Sequence, residues 1–107
     1  MIRNDSPMLS IIRTLWQQAR TRAEARKLSQ LATRHFQRGE FDDAIAMYRS
    51  VLSLTPSDAV GRMNLGLALY KAGKRREARD EWRAALESAK SNAYLSEQIA
   101  ILLRQFG

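Results

Sequence analysis

The chain has no cysteine, which removes disulfide frameworks, thiolate catalysis and cysteine-built zinc sites from consideration. That absence fits a reducing compartment, and a cytoplasmic location is the expectation. There is one histidine, His35, so a metal site would have to be made mostly of carboxylates. No apolar run approaches the ~20 residues of a membrane span, and Arg13 interrupts the one stretch that resembles the core of a secretory signal. A phosphate-cradling glycine loop, a Ser/His/Asp set and a metal-ligand motif are all missing. Together these absences argue against an enzyme and against a bound cofactor.

What is present is basic and unevenly spread. The formal net charge is +7 over 107 residues. Residues 1–38 hold eight Lys/Arg against Asp5 and Glu24, whereas the remainder holds ten against nine. The basic character therefore belongs to the N-terminal segment. Length predicts one domain, and at this size folding buries only roughly 60–70% of the unfolded chain's surface.

The chain also repeats itself. Ala25–Asp58 and Ala59–Asn92 align without a gap at a period of 34 residues. Leu31-Ala32 falls over Leu65-Gly66, Gly39 over Gly73, Ala44 over Ala78, Tyr48 over Trp82, and Val51-Leu52 over Ala85-Leu86. A fixed period of this size marks a solenoid, whose units bury their apolar faces only against one another.

The repeat resembles the tetratricopeptide repeat, a helix–turn–helix unit of this length. The likeness is carried in the second copy by Ala59–Gly73, Glu77-Ala78, Trp82 and Ala84-Ala85-Leu86. In the first copy it is carried by Gly39–Ile45, Tyr48 and Leu54-Thr55-Pro56. The copies depart from the family pattern at its opening aromatic (Leu28, Arg62), its internal tyrosine (His35, Leu69), the aromatic after the turn glycine (Arg75) and the closing proline (Lys90). The resemblance implies an all-α, antiparallel helix–turn–helix solenoid. Its parts are an N-terminal tail and amphipathic helix (1–24), two repeats (25–58 and 59–92) and a C-terminal capping helix (93–107).

Helix punctuation agrees with that division. Met1–Pro7 reads as a loose end, with Ser6-Pro7 starting a helix. Gly39 and Gly73 follow basic last turns, where glycine closes a helix in the left-handed conformation. Asp42 and Asp43 suit the first turn of the next helix. Ser57 is expected to cap the third helix, and Ser91 or Asn92 the last. The first helix has no Gly or Pro before Gly39, so it either runs straight into the repeat or bends at Arg20-Thr21-Arg22.

Both end helices carry apolar stripes. In the first, Met8, Leu9, Ile11, Ile12, Leu15, Trp16, Ala19 and Ala23 share a side. Because Trp16 and Ala19 have the spacing of Trp82 and Ala85, Met8–Ala19 is expected to pack on the first repeat as a half-repeat. Leu9, Ile12 and Trp16 also suit a membrane surface or self-association, since a basic amphipathic helix reads that way too. A cleaved organelle-targeting segment is a weaker alternative. In the last helix Leu95, Ile99, Leu102 and Phe106 should face inward, leaving Tyr94, Ile101 and Leu103 as surplus apolar surface.

The remaining charges read as solvated structure. Arg75, Arg79 and Arg83 form a basic stripe, but Glu77, Asp80 and Glu81 interleave with it, and Arg76–Asp80 is an i,i+4 pair. Nucleic acid is thus disfavoured as a partner. His35, in the place of an internal aromatic, reads as a packed residue.

The resemblance further implies a concave face lined by the first helix of each repeat. Its usual binding positions fall on Arg26, Ser29, Thr33, Phe36 and Gln37, then on Val60, Met63, Asn64, Leu67, Tyr70 and Lys71. In the last helix they fall on Tyr94, Glu97, Gln98, Ile101 and Arg104. Of the five residues with which some members grip a terminal carboxylate, only Asn64 is matched. Ser29, Thr33, Tyr94 and Gln98 occupy the other places. The groove is therefore expected to be apolar with a basic rim of Arg26, Lys71 and Arg104, suited to a helical or extended peptide. A protein-interaction adaptor is the function expected. The alternatives are a homo-oligomeric scaffold and a peripheral membrane protein, and a further reading fills the groove with the N-terminal helix of the same or a second copy.

Overall fold

The computed structural model describes residues 6–107, so residues 1–5 of the expected N-terminal tail lie outside the described residues. Five helices follow one another: α1 (Pro7–Gln37), α2 (Phe41–Leu54), α3 (Ala59–Lys71), α4 (Arg75–Ser88) and α5 (Ala93–Phe106). Each packs on its neighbour in the chain, building an elongated all-α array of 61 × 29 × 19 Å. No strand forms among the described residues.

The two repeats turn by the same device. Gly39 and Gly73 adopt φ of 77° and 86°, a region that a side chain would strain. The following amide then bonds back across the turn, Glu40 N–H to the His35 carbonyl at 2.9 Å and Lys74 N–H to that of Leu69 at 2.8 Å. This is the Schellman closure, repeated 34 residues apart.

The N-terminal caps differ between helices. α1 begins at Pro7, where a missing N–H leaves no bond unmade. Ser57 does not cap α3. Asp58 does, its Oδ1 accepting from Gly61 N–H at 2.9 Å. In that place the carboxylate also lies at the positive end of the helix. Asn92 caps α5, accepting from Leu95 N–H at 3.0 Å.

The core is built on small residues at helix crossings. Ala32, Ala44, Ala68, Ala78 and Ala85 have no exposure, and Ile45, Tyr48, Leu65, Leu69, Trp82 and Ile99 fill the space between them. Trp82 illustrates how tightly. Its indole N–H donates to the Met63 carbonyl at 3.1 Å. The ring lies so close to Gly66 that a Cβ there would overlap it. In the first repeat Ala32 and Tyr48 hold the equivalent places, and Tyr48 instead shares a 3.2 Å hydrogen bond with Thr33.

The two end helices have different fates. α5 turns its inward stripe onto the array: Ile99 is fully buried, and Leu95 and Leu102 pack on the core. The first seventeen residues of α1 do not. The half-repeat expected over Met8–Ala19 is not formed, because α1 continues without a break through Arg20-Thr21-Arg22 and nothing returns it to the repeat. Met8, Ile11, Ile12, Leu15 and Trp16 are exposed. Helical phase adds a second reason. At 3.6 residues per turn, the centre of that stripe lies roughly 120° around α1 from the side where Ala25, Ala32 and Phe36 meet the array.

Candidate functional site

The expected binding positions lie on α1, α3 and α5. Between α3 and α5 lies an apolar pocket of about 380 Å³, walled by Met63 and Leu67 on one side. Tyr94, Leu95, Gln98, Ile101 and Leu102 form the other. The spacing explains the wall: Met63 and Leu67 are one turn apart on α3, and Tyr94, Gln98 and Ile101 lie at i, i+4 and i+7 on α5. Two of the lining residues carry polar groups, Gln98 and Tyr94. Tyr94 is 76% exposed and stands at the rim.

Five of the expected groove residues thus meet in one place: Met63, Leu67, Tyr94, Gln98 and Ile101. The others do not join them. Arg26, Ser29 and Thr33 line a separate, shallow and more polar depression on α1 with Gln30 and Arg34. The Thr33 hydroxyl is held there by Ser29 and Tyr48. Phe36 packs edge-on against Phe41, with ring centres 5.3 Å apart. Tyr70 sits between Trp82 and Phe106, and the Arg75 guanidinium lies 5.5 Å from its ring centre. Asn64 is half-buried on α3 outside the pocket, and Lys71 is exposed at the end of that helix. On the extension of α1, Leu9 is half-buried, whereas Ile12 and Trp16 are exposed.

Leu95 and Leu102 line the pocket without having been expected to. Their i, i+7 spacing marked an inward stripe, and the same two side chains serve both the core and the pocket floor. Phe106 covering Tyr70 was likewise not foreseen. The stripe pattern could have suggested it, since the residue ends α5 on its inward side.

Charge around the site is partly compensated. Arg104, expected at the basic rim, pairs with Glu97 at 3.4 Å, both largely exposed. On α4 the expected Arg76–Asp80 pair is not the one that forms. Glu77 takes Arg49 at 3.3 Å and Glu81 takes Arg62 at 3.1 Å, so these acids tie α4 to α2 and α3. His35 is half-buried, with Nδ1 3.5 Å from Glu40. His35, Glu40 and Asp43 bring donor atoms within 4.8 Å of one another. One imidazole and two exposed carboxylates fall short of the four-donor shell of a structural zinc site.

Comparison with known proteins fits this geometry. A family model described as TPR repeat matches residues 33–73, and one described as tetratricopeptide repeat matches residues 59–91. The matched stretches together run over more than half of the chain. The chain belongs to the tetratricopeptide-repeat family. A TPR repeat-containing protein of Arabidopsis thaliana is 36% identical over 67 residues, which is 59% of this chain and 8% of the relative. The chain thus spans a small part of that relative's length. Tetratricopeptide repeats are in general protein–protein interaction modules rather than catalysts. No helix among the described residues is long and apolar enough to cross a membrane.

Proposed function

We propose that the array is a non-catalytic adaptor that seats an apolar side chain or two of a peptide or amphipathic helix in the α3–α5 pocket. The observation that carries this reading is the meeting of Met63, Leu67, Tyr94, Gln98 and Ile101 around one concavity. At about 380 Å³ it is near the small end of the roughly 300–1,000 Å³ of ligand pockets. That size suits side chains anchored from a larger partner. Methionine and tyrosine adapt their shape to different anchors. Each buried anchor is worth roughly 1.5–3 kcal/mol, so the one or two seated here supply part of the roughly 8 kcal/mol of micromolar binding, and contacts outside the pocket supply the rest.

The chain's own N-terminal helix does not occupy this site, since its apolar stripe is exposed. The test is a Leu67→Glu variant. It should bind at least about a hundredfold more weakly to a partner retained by the wild type, because a carboxylate in an apolar wall stays undersolvated. Its far-UV circular dichroism should be unchanged. Undiminished binding by a folded Leu67→Glu protein rules the pocket out.

A further inference from the structure

The extension of α1 is the largest feature that the adaptor reading leaves unused. Met8, Ile11, Ile12, Leu15 and Trp16 are 68, 60, 43, 57 and 71% exposed, and they lie along one side of one helix. With Leu9 and Ala19 they cover an arc of about 160° at 3.6 residues per turn. That is wider than the narrow a/d seam on which two helices coil. No acidic residue occurs from Pro7 to Ala23, while Arg13, Arg20 and Arg22 do, followed by Arg26 and Lys27 one turn on.

We propose that this extension is an interfacial helix that lies in the surface of an anionic membrane. Charge decides between occupants. A second copy of the same helix would bring arginines against arginines with only Glu24 to offset them, whereas acidic lipid headgroups complement them. Arg20 borders the apolar arc on one side and Arg22 lies just inside its opposite edge beside Ile11, the arrangement that puts side-chain stems in lipid and guanidinium groups among phosphates. Trp16 lies near the arc's edge, where an indole has one side apolar and one side wet.

Sterics permit the pose. The side of α1 that carries the array is centred roughly 120° from the centre of the stripe, so the helix can lie on its stripe with the repeats held to the side of and above the lipid. The extension is about 25 Å long at 1.5 Å per residue and runs parallel to the surface, not through it. Arg26 lies on the same side as the stripe and reaches headgroup level. The proposal is independent of the pocket between α3 and α5.

The test uses the full chain with vesicles of phosphatidylcholine containing phosphatidylserine, and with phosphatidylcholine alone. The chain should sediment with the mixed vesicles and not with the neutral ones. Trp82 is fully buried and Trp16 is exposed, so a blue shift of tryptophan emission on binding reports Trp16. Trp16→Glu should weaken binding by more than about tenfold, through the lost burial of the ring. Arg20→Gln with Arg22→Gln should weaken it by about thirtyfold, at roughly 1 kcal/mol per basic residue near the surface. Leu67→Glu should leave it unchanged, which separates this site from the pocket.

Failure to bind the mixed vesicles overturns the proposal, as does equal binding to neutral ones. A doubled molar mass by light scattering that Trp16→Glu abolishes, without vesicle binding, assigns the stripe to a second copy instead. Because the emission shift is read on the wild type, a variant that misfolds does not leave the proposal untested.

Discussion

The two end helices of this array carry apolar stripes at similar spacing and finish in opposite environments. α5 carries Leu95, Ile99 and Leu102 at helical spacing and buries them on the second repeat. The extension of α1 carries Met8, Ile12, Leu15 and Trp16 at much the same spacing and buries none. Hydrophobicity does not separate them. Punctuation does. Ala89 closes α4, Asn92 caps α5 and the chain reverses between them, so α5 folds back on its neighbour. Nothing interrupts α1 before Gly39, so its first turns are carried straight past the repeat. An apolar stripe packs within its own chain only when a turn returns it there, and otherwise it remains a surface for something else.

The contrast can be sharpened with the two tryptophans. Trp82→Ala should destabilise the fold by about 3–5 kcal/mol, through the cavity it leaves and the lost indole hydrogen bond to the Met63 carbonyl. Trp16→Ala should change stability by no more than about 0.5 kcal/mol, because the side chain is 71% exposed. Chemical denaturation of both proteins measures the difference. A substantial loss at Trp16 would mean that the extension does pack on the array.

A smaller effect is expected at the crossing beneath Trp82. Gly66→Ala places a methyl group in the indole, and overpacking of this kind costs about 1–3 kcal/mol. Alanine's better helix propensity returns up to about 1 kcal/mol of that. The first repeat has alanine at the equivalent Ala32, facing the slimmer Tyr48. Gly66→Ala combined with Trp82→Tyr should therefore recover much of the loss in denaturant midpoint.

The smallest effect tests the turn that returns α5. Asn92→Ala removes the side-chain oxygen that accepts from Leu95 N–H and should cost about 1 kcal/mol. Amide exchange should show the loss concentrated in the first turn of α5. An even loss across all five helices would show that the cap does not act locally.

Much of this architecture was legible in the sequence, and for identifiable reasons. The 34-residue alignment located both repeats, and Gly39 and Gly73 marked the two turns because only a left-handed residue closes a helix in that way. The fate of Met8–Ala19 is not legible in this way, because the spacing of Trp16 and Ala19 says which residues share a side and not what that side meets. Ser57 lost the cap to Asp58 by one position, a choice set by local backbone geometry. At the candidate site, Met63, Leu67, Tyr94, Gln98 and Ile101 were legible from the repeat pattern. Phe36, Tyr70 and Arg104 were not, because each is engaged by a neighbour that only the folded chain supplies: Phe41, Phe106 and Glu97.

The most direct test of the contrast between the ends is amide hydrogen exchange on the full chain, alone and with phosphatidylserine-containing vesicles. Alone, amides from Leu9 to Arg22 should exchange fast, because a helix without tertiary contacts opens readily, while those around Ile99 should be protected. With vesicles, the Leu9–Arg22 amides should become protected and those of the α3–α5 pocket should not change. Protection of Leu9–Arg22 equal to that of α5 in the absence of lipid would contradict the account, since it would mean that the first end helix is packed after all.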